Sequence, residues 1–222
     1  SGDNKAGVVV HYFVVKQLLE NLPVNIKVFI EGEEEIGSPT MNTFIEQNRE
    51  ALEADVIVIA DSGNVKIGVP TITTSLRGLV DAIIEVDQPM RPIHSGVGGG
   101  IVPDAFMILS RIIASFHNDQ GELQIEGLTP TDMNVIELEE SYMKKMLGSD
   151  NIQLFKTESI SKRLWLEPSL DVLAIDAPSV ADAVNLVIPK ASAKISLRLP
   201  PTEDPNHAME MLEQHVIKNT PW

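Results

Sequence analysis

The stretch DVIVIAD, residues 55–61, is a nearly unbroken run of β-branched and small apolar side chains closed by a carboxylate. A strand with one wet face alternates apolar and polar residues. An uninterrupted apolar strand has both faces covered, which is the habit of inner strands in α/β sheets. Upstream, VNIKVFI (24–30) reads as a second strand, and between the two SPTMNTFIEQNREALEA (38–54) reads as a helix, with Ser38 as N-cap and Pro39 at its first position. AGVVVHYFVVKQLLENL (6–22) carries apolar residues at spacings of three and four and stops near Pro23, as a helix laid on that sheet would. The opening third is therefore expected to be an α/β layer.

From about Arg77 the pattern changes. LVDAIIEVD (79–87) alternates like a half-buried strand, DAFMILSRIIASFHND (104–119) is an amphipathic helix, GELQIEGL (121–128) a short strand and VIELEESYMKKML (135–147) a second helix. SLDVLAI (169–175) and ASAKISLRL (191–199) add two more strands, and DPNHAMEMLEQHVIKNTPW (204–222) opens a last helix. This order predicts an α+β, ferredoxin-like split βαβ layer with one open face, inserted into the α/β part. The expected division is 1–77, then 78–198 for the insert, then 199–222 as a return to the first domain.

Composition narrows the function. With 43% hydrophobic residues over 222 positions a real core is available. Seventeen basic against 32 acidic residues give a formal net charge of -15, so no general electrostatic attraction to nucleic acid exists. The longest apolar runs fall far short of the roughly 20 residues that span a bilayer, so no membrane partner is expected. There is no cysteine, which excludes disulfides and thiolate metal sites, and the cytoplasm is the default compartment.

Acidic residues cluster at expected strand ends. EGEEEIGSP (31–39) places Glu33, Glu34 and Glu35 together, Asp61 ends the next strand, and Asp3 heads the first helix. Crowded carboxylates oppose one another's ionisation, and a hard divalent cation would reverse that cost. Loops beyond strand carboxyl ends are the usual ligand crevice of such sheets. The competing explanation is a solvated turn feeding a helix N-terminus. Neighbouring glutamates can serve one site only where the strand has ended, and Gly37 with Ser38 supply such a break. A second group is HSGVGGGIVPDA (94–105), a glycine-rich loop led by His94 but lacking the lysine of a phosphate loop. Arg198 is a fork-shaped donor suited to a carboxylate, or an ordinary surface charge, and Asn185 is equally open. His11, His117, His207 and His215 lie in helical patterns and read as structural.

Taken in order, GDNKAG, EGEEEIGS, IADSGN, RPIHSGVGGGIVPDA and NLVIPKASAKISLRLPP resemble the metallopeptidase family of carnosinases, aminoacylases, carboxypeptidase G and succinyl-diaminopimelate desuccinylase, nearest its carnosinase-like dipeptidase branch. The resemblance covers nearly the whole chain. It implies a zinc-peptidase catalytic domain, a mixed sheet with flanking helices, interrupted by a lid or dimerisation domain. It also implies two zinc ions, or manganese or cobalt in their place. By motif, Asp3 matches the metal-bridging aspartate, Glu35 and Asp61 match metal ligands, Glu34 matches the general base, and Glu33 falls on a variable position. His94 resembles the histidine that reaches the partner subunit's active site and stabilises the oxyanion. Arg198 resembles the arginine that grips the substrate's terminal carboxylate, with Asn185 often helping. The implied reaction is amide hydrolysis of dipeptides or N-acyl amino acids by a homodimer.

Two histidine ligands of that family, one in an H-x-D motif and one near the C-terminus, have no counterpart here. The chain therefore resembles the middle of a protein about twice as long, with little activity expected of it alone. The alternative is a non-catalytic dimerisation module formed by the insert.

Overall fold

The computed structural model describes residues 4–222 and divides the chain into two compact units, Ser1–Thr74 and Ser75–Trp222. In the first, helix α1 runs Lys5–Leu18 and is extended by a single 3-10 turn, Leu19–Asn21. Helices α2 (Met41–Gln47) and α3 (Arg49–Leu52) follow. The expected continuous helix over 38–54 is interrupted at Asn48, whose backbone leaves helical geometry at φ -120° and ψ 21°, while its side-chain amide donates to the Phe44 carbonyl at 2.8 Å. The start also differs. Ser38 does not cap α2 but adopts φ 50° beside Gly37 at φ 84°, and Thr40 occupies the N-cap position.

Residues 24–30 and 55–61, expected as strands, form none and join no ladder among the described residues. Val56, Ile57, Val58 and Ile59 are 72 to 80% exposed. An apolar run reports what a segment is built to bury, whereas a strand also needs a neighbouring backbone to bond. Phe29 nevertheless stacks on Phe44, with ring centroids 5.3 Å apart, so the 24–30 segment packs on α2.

The second unit begins with strand β1 (Gly78–Asp87) and the short β2 (Ile93–His94), then helices α4 (Ser95–Gly98) and α5 (Ala105–Ser115). Helices α6 (Glu140–Met146) and α7 (Ile160–Trp165) precede strand β3 (Ser169–Asp176). Strands β4 (Leu186–Val187) and β5 (Lys190–Leu199) lead into helix α8 (Pro205–Asn219). β5 is the centre of an antiparallel sheet in the order β1-β5-β3, and β2 pairs with β4.

The period of two in KASAKISLRL decides the packing: Ala191, Ala193, Ile195, Leu197 and Leu199 all point into the core. They meet Ala105, Ile108, Leu109 and Ile112 of α5, spaced by three and four, and Ala208 and Leu212 of α8. Each fully buried leucine or isoleucine contributes about 1.5–3 kcal/mol by leaving water. Both helices therefore lie on one face of the sheet, and the other face stays open, as an α+β layer predicts. Asp104 caps α5 by accepting from Met107 N–H at 2.9 Å, and Asp204 caps α8 by accepting from Asn206 N–H at 2.8 Å and His207 N–H at 3.0 Å.

Three expectations change. Residues 121–128 make a single bridge, His117 to Leu123, rather than a fourth strand. The helix expected over 135–147 is confined to α6, because the Leu138 N–H is taken by Ser161 Oγ at 2.7 Å and the Glu137 carboxylate accepts from Ile160 N–H at 2.9 Å at the start of α7. The segment 199–222, expected to rejoin the first domain, stays in the second unit, where Ala208 and Leu212 belong to its core.

Candidate functional site

The acidic run folds into a tight turn. Glu34–Ile36 form one 3-10 turn, closed by Gly37 N–H donating to the Glu34 carbonyl at 2.9 Å. Glu33, the expected bystander, is structural. Its carbonyl accepts from Ile36 and Ser38 N–H, both at 3.0 Å, and its carboxylate accepts from the Thr40 hydroxyl at 2.6 Å. That leaves Glu34 and Glu35 on the exposed rim of a turn whose shape Glu33 maintains. No periodicity signals this role; the hint was the threonine seven residues on.

Asp61 is placed by Asn4. The Asn4 side-chain amide donates to Asp61 Oδ1 at 2.7 Å and to the Ala60 carbonyl at 2.8 Å, while its Oδ1 accepts from Gly7 N–H at 2.9 Å. One side chain thus caps α1 and ties it to the end of the 55–61 segment. Gly7 permits the approach, since a Cβ there would stand 2.3 Å from the Ala60 oxygen. Asp3, the expected bridging ligand, lies outside the described residues. Among the described residues no group of three or more histidine, aspartate or glutamate side chains converges as a metal site. Glu35 and Asp61 are oxygen donors, and zinc favours nitrogen and sulfur, so these two alone do not fit the expected zinc pair.

In the second unit, His94 ends β2 and its Nδ1 accepts from Gly96 N–H at 3.0 Å, which fixes the ring at the head of the glycine-rich turn. Across the β2–β4 pairing, Ser95 N–H donates to the Asn185 carbonyl at 2.9 Å, so His94 and Asn185 sit at one locus. Arg198 does not join them. It stands near the far end of β5, exposed on the open face, with Leu79 and Ser169 as its cross-strand neighbours.

Beside it is a residue the sequence did not single out. Arg77 Nη2 donates to Ser169 Oγ at 2.7 Å, and its Nε is sealed from solvent with no acceptor among the described residues. Burial first, then the charge of Arg198, hold Arg77 below the usual arginine value, while Asp171 acts the other way. A guanidinium remains charged at neutral pH under such pressure. The only signal in the sequence was an arginine immediately before a strand.

Residues 74–222 match the family model described as the peptidase dimerisation domain. The chain belongs to that family. Over its full length it is 34% identical to half of a cysteinylglycine-S-conjugate dipeptidase of Corynebacterium striatum. Over 96% of its length it is 29% identical to 45% of a human β-Ala-His dipeptidase. Among solved structures it is similar to an M20 family metallo-carboxypeptidase of Sulfolobus solfataricus, with TM-score 0.77 and 28% identity over 98% of this chain and 52% of that one. Human carnosine dipeptidase 1 gives TM-score 0.73 and 26% identity over 99% of this chain and 50% of that one. The resemblance to dipeptidases of the carnosinase type is thereby met. The chain spans about half the length of the curated relatives it matches. His94, Asn185, Arg77 and Arg198 belong to the peptidase dimerisation domain, and Glu34, Glu35 and Asp61 to the unit before it.

Proposed function

We propose that this chain is part of a metal-dependent dipeptidase that works as a homodimer through its peptidase dimerisation domain. The observation that carries the reading is the separation of His94 and Asn185 from Arg198. Lys190, at the Asn185 end of β5, and Arg198 are about 26 Å apart at ordinary strand rise. An extended dipeptide is at most about 7 Å long. This separation supports a reading in which His94 and Arg198 of one chain serve different sites, and two copies related by a twofold axis present opposite ends of the domain to each other.

In this reading Arg198 holds the terminal carboxylate of a dipeptide or N-acyl amino acid through its planar fork. Glu34 takes a proton from the attacking water. His94 of a second copy donates to the developing oxyanion. Asn185 contacts the substrate from the His94 side, not as an aid to Arg198 within one chain. A divalent metal would polarise the scissile carbonyl and acidify water. Asp3, Glu35 and Asp61 are its proposed oxygen donors, with two zinc ions as the expected complement and manganese or cobalt as alternatives.

The test is subunit complementation in the whole protein. His94→Ala and Arg198→Ala homodimers should each be inactive, and mixing after dissociation should restore about a quarter of wild-type activity through mixed dimers with one intact site. No recovery despite subunit exchange would overturn the shared site.

A second reading, a dimerisation module without catalysis, is favoured by the self-contained core of the second unit and by the match over 74–222. Light scattering and metal analysis of the 222-residue chain separate the two. A dimer free of metal supports the module; stoichiometric zinc with dipeptide hydrolysis removes it. The cytoplasm is the proposed compartment, checked by cell fractionation. No described helix is long and apolar enough to cross a membrane.

A further inference from the structure

Arg77 has no part in the reaction outlined above, yet its placement is specific. In the antiparallel register Leu79 and Ser169 lie opposite Arg198 on its two sides, so all three share the open face of the sheet. Arg77 precedes Leu79 by two residues and shares its face. From the β1 side its guanidinium reaches Ser169 on β3, with Nη2 2.7 Å from the Ser169 hydroxyl and 3.5 Å from the Glu167 carbonyl. To do so it crosses the end of β5 next to Arg198. Among the described residues neither arginine has a carboxylate ion-pair partner, and Arg77 Nε has no acceptor. Two guanidinium groups held on one face repel each other, and a buried N–H left without an acceptor adds to the penalty. Asp171 attracts Arg77 without an ion-pair contact, and a bound anion would offset the repulsion for both arginines at once.

We propose that Arg77 and Arg198 together form a two-arginine subsite for a peptide's terminal carboxylate, with Arg198 in contact and Arg77, anchored by Ser169, positioning it and supplying a second charge. This rests on the reading of Arg198 as the carboxylate-binding residue. A carboxylate accepts the Arg198 fork through both its oxygens, and the Arg77 charge held beside it adds attraction without contact. Because Ser169 already restrains Arg77, little further side-chain freedom is lost on binding.

The test is a titration of the 222-residue chain with N-acetylglycine and, separately, N-acetylglycinamide, following the arginine Nε–Hε signals by NMR. The acid should shift the signals of both Arg77 and Arg198, and the neutral amide neither. Arg77→Gln should weaken the acid about tenfold and Ser169→Ala about threefold, with Arg77→Lys falling between wild type and Arg77→Gln. A purely structural role for Arg77 would not separate acid from amide, and well-dispersed backbone spectra show that each variant is folded. Wild-type affinity in Arg77→Gln, alongside lost binding in Arg198→Gln, would overturn the two-arginine subsite and leave the Arg198 reading standing. No binding by wild type, or binding indifferent to Arg198→Gln, would overturn both.

Discussion

Asn4 and Asp61, fifty-seven positions apart, are joined by a 2.7 Å hydrogen bond from the Asn4 amide to Asp61 Oδ1. The same side chain accepts from Gly7 N–H at the start of α1. Replacing Asn4 by alanine removes an N-cap and a tether together. Loss of such a cap costs about 1 kcal/mol, up to about 2. Hydrogen exchange at Gly7 should accelerate in Asn4→Ala, and Asn4→Asp should keep the cap while setting a like charge against Asp61. Unchanged exchange in Asn4→Ala would show that the contact does not hold the helix end.

Gly7 gives a prediction with its sign reversed from the usual one. Within an exposed helix, glycine to alanine stabilises by about 1 kcal/mol. Here the new Cβ would sit 2.3 Å from the Ala60 carbonyl oxygen and 2.8 Å from Asn4 Nδ2. Gly7→Ala should therefore destabilise the first unit and displace the Asp61 end of the 55–61 segment, read as a lowered unfolding midpoint. A raised midpoint would mean that the helix and that segment do not approach so closely.

The division of labour between the two exposed glutamates is testable in the whole protein. If Glu34 is the general base, Glu34→Gln should lower kcat by about 10²–10⁴, the usual worth of general-base catalysis, and leave metal content near wild type. Glu35→Gln should instead lower metal occupancy. Kinetics paired with elemental analysis decide the assignment, which fails if Glu34→Gln retains appreciable turnover.

What the sequence made legible follows from which interactions are periodic. β5 and α5 were evident because alternation along KASAKISLRL and three-four spacing from Ala105 to Ile112 directly encode a buried face. The break after the acidic run was evident from Gly37 and Ser38. The segments 24–30 and 55–61 misled in part, since an apolar run does not name the backbone it would bond. The truncation of the 135–147 helix hung on one carboxylate and one hydroxyl, Glu137 and Ser161, reaching across more than twenty positions. Arg77 was invisible for the same reason: its meaning lies in Ser169, ninety-two residues away. The grouping of His94 with Asn185 and apart from Arg198 needed the strand register, which motif order does not carry.

His215 predicts how stability should vary with pH. It is 8% exposed, stacks on Phe116 with ring centroids 5.1 Å apart, and places Nε2 3.0 Å from Ser115 Oγ. Burial pushes its pKa below the ordinary 6.5, outweighing the hydrogen bonds at Ser115 and Gln124; Lys218 lowers it further and Glu126 opposes. The unfolded chain therefore binds more protons than the folded one between the lowered value and 6.5. Stability from this group is fully present above that window and is lost as pH falls through it. His207 acts in the opposite direction, its pKa raised by the Glu203 carboxylate, but it is exposed and solvent-screened. Comparing His215→Gln with wild type cancels His207 and every other titrating group. The variant should be less stable at about pH 7.5, where the stacking on Phe116 is lost, and should lose less stability on acidification to about pH 5.5. Denaturant unfolding at the two pH values provides the measurement. Parallel losses in variant and wild type would mean that His215 does not titrate differently in the folded and unfolded chains.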